Sequence, residues 1–474
     1  MNRPLALVIA CTLALAGCGV LEPRLPTAQP AIPAAWPLPP TTPPAAVTAA
    51  TPAPNASITT ADIGWRDFFV DPKLQTLIAE ALANNRDLRV AVLNVERAQQ
   101  AYRIQRSERV PSLDATGALV RRGGDDLPVT DVYTADLAVT QFELDLFGRV
   151  RNLSEAALQQ YFAQEEARRS AQLSLIAAVA NTYLTLAADH EQQRLSLETL
   201  RTWEEAYALT QKRHEFGAVS KLDVYQSRTQ AEIARADAAR YAGQIAQDVD
   251  ALNLLVGAPV PDDLLPTGFV DRVTGLEPLP PGLPSDVLLR RPDVLLAEHV
   301  LRATNANIGA ARAAFFPSIT LTGAVGTAST ELSSLFDAGT HTWSFIPQVT
   351  LPIFEGGRLR ANLGVAHADR DIALTRYEQS IQIGFREVAD ALALTTTLAD
   401  QRSALEALVD AAQRAEELSL VRYEAGRDSY LTRLDSQRTL YVSQLALIQT
   451  RLAEQANRVT LYKVLGGGWK ERGP

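Results

Sequence analysis

The chain is 474 residues long, 47 % hydrophobic and 21 % charged, with a formal net charge of −9. That balance argues against nucleic acid as a partner and for a mildly acidic, soluble surface. Its two cysteines, Cys11 and Cys18, leave no disulfide framework or thiol metal site downstream, and no internal run of about 20 apolar residues stands out as a helix able to cross a bilayer.

The N-terminus reads as an export signal over residues 1–17: Arg3 gives a positive start and Leu5 to Leu15 an apolar run, followed by Leu15-Ala16-Gly17-Cys18. That tetrapeptide resembles the lipobox of bacterial lipoproteins, which implies that Cys18 becomes the acylated first residue; a plain secretory signal with an incidental cysteine is the alternative. Gly rather than Asp at position 19 favours, by the same resemblance, the outer membrane over the inner one. Residues 18–60 then form a tether, with 11 prolines between 19 and 60, a composition that predicts extended polyproline II rather than a packed core.

A first structural unit is expected over residues 61–257. An amphipathic helical pattern runs from Leu74 to Val110, with a break near Asn84-Asn85 and a stop at Pro111. A strand hairpin follows near 112–142. Tyr133, Ala135, Leu137 and Val139 alternate with Thr134, Asp136, Ala138 and Thr140, and Arg122 to Pro128 read as a polar loop. Residues 149–216 contain neither Gly nor Pro and are rich in strong helix formers, which predicts one helix of about 100 Å. A turn at Gly217 and a return helix over 220–256 complete the unit.

After a Pro-rich linker at 258–285 the order recurs over 286–466, with a hairpin near 318–353, a long helix at 358–425 and a return helix at 429–465; residues 467–474 are a tail. Gly148-Arg149-Val150-Arg151 matches Gly357-Arg358-Leu359-Arg360, and Arg213, Gly217, Ser220 and Leu222 match Arg422, Gly426, Ser429 and Leu431 at one offset of 209. The chain is a duplication. In each half, two shorter helices together nearly equal the long one, so each half is expected to be a long helix flanked by two shorter ones stacked end to end.

The strands have the length and the apolar/polar alternation of membrane β-strands. Four cannot close a barrel, and an open edge in lipid costs several kcal/mol per unpaired backbone group, so other copies must complete it. Soluble hairpins packed on the helices are the alternative. The fold class expected is therefore mainly α with a membrane β-barrel part.

The segments Phe142 to Arg149 (FELDLFGR), Leu289 to Asp293 (LRRPD), Ile308 to Arg312 with Phe315 to Ser318, and Leu461 to Trp469 resemble the TolC-like outer-membrane efflux proteins, specifically the lipoprotein branch serving RND-type pumps. The resemblance covers nearly everything after residue 60. It implies a homotrimer whose strands form one twelve-stranded barrel in the outer membrane of a Gram-negative bacterium and whose helices form a hollow α-barrel through the periplasm. A periplasmic membrane-fusion adaptor and an inner-membrane RND pump are the partners it implies, alongside outer-membrane lipid. It also implies an equatorial belt that includes residues 258–285 and the tail.

An exit duct of an efflux system is the function expected, passively passing small molecules such as drugs. The outer-membrane duct of a type I protein secretion system, or a helical lipoprotein scaffold without a pore, are the alternatives. No enzyme activity and no cofactor beyond the lipid on Cys18 are expected: His190, His214, His299, His341 and His367 show no metal-ligand spacing, and Gly466-Gly467-Gly468 is a helix stop rather than a phosphate loop. A single Met argues weakly against a copper or silver conduit.

Two groups of site residues follow. The turns Gly217-Ala218-Val219-Ser220 and Gly426-Arg427-Asp428-Ser429 have the residue types of a helix stop followed by a cap, and the resemblance adds docking of the adaptor there. The segment Tyr430 to Arg438 resembles the family's periplasmic constriction. Leu431 and Asp435 share a helix face, which three-fold symmetry would turn into an apolar ring and a carboxylate ring; a solvated Asp435 paired with Arg433 or Arg438 is the alternative. Gln226 stands opposite Asp435 in the other half.

Overall fold

Local signals fix the helices first. The computed structural model describes residues 21–33, 36, 63–269, 273–275, 285–467 and 470–472; Cys18, most of the tether and parts of the linker and tail lie outside them. Helix α1 (Pro72–Asn84) starts with Pro at its first position, and the Asp71 side chain accepts from the Lys73 backbone N–H at 2.9 Å. The break falls at Asn85, whose side chain accepts from the Leu88 N–H and so starts α2 (Arg86–Ser107). The chain continues through β1 (Asp114–Gly124), β2 (Leu127–Leu144), α3 (Arg149–Glu215) and α4 (Lys221–Val256), then α5 (Pro292–Ala313), β3 (Ser318–Ser329), β4 (His341–Thr350), α6 (Arg358–Glu424) and α7 (Tyr430–Val464). The long helices α3 and α6 are 67 residues each.

The chain divides into two compact units. The first comprises Met1–Pro30, Leu93–Glu166 and Leu295–Ser380. It holds one antiparallel sheet in the order β1-β2-β3-β4. The first hairpin is tighter than the sequence suggests: Arg122 to Gly124 stay in β1, Asp125-Asp126 alone make the turn, and Pro128 is inside β2. Pro is tolerated there because the pairing bulges between Arg122↔Thr130 and Gly124↔Leu127, and β3 pairs with β2 only from Tyr133 on.

A second bulge matters more. Gln141 has φ of 54°, and the β2–β3 pairing jumps from Val139↔Gly323 to Phe142↔Leu321. One extra residue inverts the side-chain parity of β2. Phe142 and Leu144 thereby join Tyr133, Ala135, Leu137 and Val139 on one face, with Leu119, Ile319, Leu321, Val325, Trp343, Phe345 and Val349. The other face carries Asp114, Thr116, Thr134, Asp136, Glu143, Thr320, Thr322, Ser344 and Gln348. Strict alternation would have placed Gln141 and Glu143 among the aromatics.

Helix packing in this unit depends on small residues. Ala156, Ala303 and Ala306 form a buried cluster, and a Cβ on Gly309 would stand 2.5 Å from Asn152 Nδ2. Phe147 stacks on Phe316 at 4.8 Å. The start of the tether is not free chain: Asn305 donates to Glu22 Oε1 and to the Pro23 carbonyl, Arg312 donates to the Leu21 carbonyl, and the Gln29 N–H donates to Glu378 Oε1. Extended proline-rich backbone leaves its carbonyls unpaired, and here helix side chains satisfy them.

The second unit comprises Ala31–Val92, Ala167–Val294 and Ile381–Pro474. Its core joins Trp65, Phe68, Phe69, Leu74, Leu77 and Ile78 to Ile176, Val179, Ala180 and Tyr183 of α3 and to Leu252, Val256 and Tyr462. Phe68 stacks on Tyr462 at 3.8 Å. One 18-residue stretch of α3 does have the length and apolarity to cross a membrane, against the expectation from the sequence, but 61 % of it is buried within the protein; it is a core helix. The corresponding stripe on α6 is used differently. Val388 is buried, whereas Phe385, Ala389 and Leu392 are half-buried. Trp36 stacks on Phe385 at 5.3 Å and donates to its carbonyl, so a tether residue takes up part of the face. Arg291, from the Leu289 to Asp293 segment, is 7 % exposed and donates to Asp293, Glu387 and the Val464 carbonyl.

Candidate functional site: the helix-end turns and the groove beside them

Both turns end a long helix in the same way. Gly217 has φ of 71° and Gly426 φ of 69°. The Gly217 N–H donates to the His214 carbonyl and that of Ala218 to Arg213; in the second half Gly426 donates to Tyr423 and Arg427 to Arg422. These paired bonds close each helix with a left-handed glycine, which Gly alone adopts without steric cost. No atom comes within 4 Å of a Cβ built on either glycine, so backbone conformation rather than space requires them.

The return helices then start on serine. Ser220 accepts from the Asp223 N–H, and the Asp223 carboxylate accepts from the Ser220 N–H, a reciprocal cap. Ser429 accepts from the Thr432 N–H, and the two hydroxyls share a hydrogen bond at 3.0 Å in place of a carboxylate's return bond. The second turn has its own clasp: Arg422 donates through Nε and Nη2 to both oxygens of Asp428 at 2.7 Å, which holds that carboxyl below its ordinary range. In the first turn, Val219 takes the place of Asp428, and His214 Nδ1 contacts the Val219 carbonyl at 2.9 Å instead.

Arg213, Arg433 and Tyr430, with Tyr423, which the sequence did not single out, tie the two turns together. Arg213 donates to the Tyr423 hydroxyl at 3.2 Å, and the guanidiniums of Arg213 and Arg433 each lie 5.5 Å from the Tyr423 ring centre. Tyr430, the first residue of α7, is 7 % exposed and 5.5 Å from Tyr423. Burial raises the Tyr430 hydroxyl, and hydrogen bonds to Ser227 and Thr210 offset part of that. The repeat pairing of Arg213 with Arg422 was the available signal; the tyrosines have no counterpart in the first half.

Leu431 and Asp435 come together. With Leu434 and Arg438 of α7 and Gln226, Thr229 and Gln230 of α4, they line one open groove. Leu434 is buried, whereas Leu431 is 62 % exposed and Asp435 is also exposed. The sequence pairing of Gln226 with Asp435 thus becomes a spatial one. Among the described residues no ion pair holds Asp435: Arg433 is engaged over Tyr423, and Arg438 lines the groove without a bond to it.

Farther along the same helices, Asp189 of α3 and Asp248 of α4 face each other. Asp189 is 7 % exposed. Burial, then the Asp189 charge, pushes the Asp248 carboxyl up to about 6, and burial also raises Asp189. Since the folded carboxyl holds its proton to higher pH than an unfolded one, the folded state binds more protons between about pH 4 and 6, and stability grows as pH falls through that window. Asp248→Asn is therefore expected to raise the unfolding temperature at pH 7.5 by a few degrees and to keep only about half of that advantage at pH 5; an equal shift at both pH values would show no titration of the pair. Among the described residues no group of three His, Cys, Asp or Glu side chains is arranged to hold a metal ion.

A sequence profile of outer membrane efflux proteins matches residues 77–258 and, again, 283–467. Over 479 residues the chain is 45 % identical to the probable efflux pump outer membrane protein TtgC of Pseudomonas putida, covering 100 % of this chain and 97 % of that one. It is 45 % identical to the outer membrane protein OprJ of Pseudomonas aeruginosa, with 88 % of each chain covered. Among solved structures, the open state of the MtrE outer membrane channel of Neisseria gonorrhoeae matches with a TM-score of 0.86 at 39 % identity, over 96 % of this chain and 100 % of that one.

Proposed function

Since the chain belongs to the outer membrane efflux protein family, and is an outer-membrane efflux channel protein, we propose that three copies of it close one barrel in the outer membrane and one helical duct into the periplasm. The duct would receive small molecules such as drugs from an RND-type pump through a membrane-fusion adaptor. The sheet carries this reading. It has four strands, with β1 and β4 as open edges; one face is apolar up to the Arg121–Asp131 and Thr327–His341 pairs near the hairpin ends, and the other is mostly polar. In lipid both edges must be paired, so copies must add strands. Two copies would give eight strands, a barrel that side chains fill; three give twelve, the smallest multiple with room for a duct. The apolar face then meets lipid and the polar face lines water.

The protein performs no chemistry in this reading, and the pump supplies the energy. Acylated Cys18 would add a second anchor to the barrel. A mass measurement on the purified particle in detergent is expected to give three chains, each starting at an acylated Cys18. A monodisperse monomer with its full β-signal would overturn the trimer.

The two helix-end turns are the proposed adaptor contacts. Ala218 and Arg427 follow the left-handed glycines and are exposed. Bulky replacements, Ala218→Trp with Arg427→Trp, are expected to remove nearly all drug resistance while leaving the amount of trimer unchanged. Resistance at the wild-type level would move the contact elsewhere. Conductance in a planar bilayer separates the duct from a scaffold without a pore, and a dependence of peptide export on the chain would favour a type I secretion role.

A further inference from the structure

The polar face of the sheet carries few charges, and they are unevenly placed. Asp136 lies at the middle of β2, paired with Thr116 on one side and Gly326 on the other. A Cβ on Gly326 would stand 2.4 Å from Asp136 Oδ1, so the carboxylate occupies the space that any other residue at 326 would fill. Asp114, paired with Ala138, is its diagonal neighbour on the same face. Among the described residues nothing positive pairs with Asp136.

The cations of this face are distant or engaged. Arg122 pairs across from Thr130, six residues along β2 from Asp136 and so about 20 Å away. That exceeds the screening length of about 8 Å at physiological salt. At the other end, Glu143 accepts from Arg149 Nε at 2.9 Å. The polar faces of β3 and β4 hold Thr, Ser, Gln, Ala, Gly and Ile but no ionisable side chain. Further copies of the chain bring only the same residues, so symmetry cannot neutralise the band.

We infer that Asp136 is a selectivity-determining residue of the β-barrel lumen and makes this section of the duct favour organic cations over anions. The inference rests on the proposed barrel, in which the polar face lines water, and concerns a section separate from the groove at Leu431 and Asp435. A carboxylate at the strand midpoint is admissible only on a water-filled face, and rings of carboxylates bias a pore toward cations. Asp114 adds charge of the same sign on the neighbouring strand.

The test reads local potential directly and does not depend on whether the groove near Asp435 is open. Thr134→Cys places a thiol on the polar face, two residues from Asp136. In outer membranes carrying the full chain, it is reacted with a cationic and an anionic methanethiosulfonate of similar size, with the parent protein as blank. The cationic reagent is expected to react faster, and Asp136→Asn is expected to lower the cation-to-anion rate ratio about two- to threefold, the salt-screened Coulomb effect of a carboxylate about 7 Å away in water. Asp136→Glu should restore it. A ratio unmoved by Asp136→Asn overturns the inference while leaving the barrel intact. Leu137→Cys, on the apolar face, should be protected from both reagents. Labelling of the Leu137→Cys variant together with protection of the Thr134→Cys variant would overturn the assignment of faces, and the barrel with it.

Discussion

Leu431→Ser combined with Asp435→Ala is expected to raise single-channel conductance severalfold and to let large antibiotics such as vancomycin leak inward. Leu431 is apolar yet 62 % exposed, with Asp435 one helical turn further on the same groove. The rotation of α7 is not free. Ser429 caps it, and Tyr430 and Leu434 are buried on the adjacent face about 100° round the helix, which leaves Leu431 and Asp435 exposed. Three copies would set these residues as an apolar ring, which excludes water, beside a carboxylate ring. The first half supplies Gln226 to the same groove, so the charge repeats once per chain. Each single variant separates the two effects: Leu431→Ser should act on conductance for ions of either sign, and Asp435→Ala mainly on cation preference. Conductance and leak equal to wild type, in a correctly assembled trimer, would rule the pair out as the gate.

Leu137→Arg is expected to abolish assembly in the outer membrane. Leu137 lies on the apolar face, paired with Ala115 and Val325, near the middle of β2. An arginine facing lipid at that depth costs about 2–4 kcal/mol in a barrel, and three copies raise this to about 6–12 kcal/mol per trimer. That is of the order of the whole stability of a domain. Thr134→Arg, on the opposite face of the same strand, should assemble because water covers it. The measurement is the amount of trimer in purified outer membranes. Wild-type amounts of the Leu137→Arg trimer would show that this face does not meet lipid.

The parts legible in the sequence are those that local chemistry fixes. Two Gly- and Pro-poor stretches of helix formers predict the long helices. A glycine with a serine three residues on predicts each turn, because a backbone angle and a cap need only near neighbours. The duplication is equally plain, since matched residues keep one offset of 209 from Gly148 to the C-terminal helix. The family resemblance rests on short segments such as Phe142 to Arg149, and that segment lies at the junction of sheet and long helix.

What the tertiary structure alone decided depends on partners distant in the chain. The alternation changes phase between Val139 and Phe142 in the sequence, but only the pairing with β3 shows that this is a bulge at Gln141 which keeps Phe142 and Leu144 on the apolar face. Leu21 to Trp36 reads as a free tether because proline-rich backbone pairs with nothing nearby; its contacts, Asn305, Arg312, Glu378 and Phe385, lie 282 to 349 positions further on. The two copies of the apolar stripe are alike in sequence, yet Ile176, Val179, Ala180, Tyr183 and Ala187 are all buried, whereas of Phe385, Val388, Ala389 and Leu392 only Val388 is. Hydrophobic periodicity marks a face that must be buried; which element covers it is a property of the packed chain.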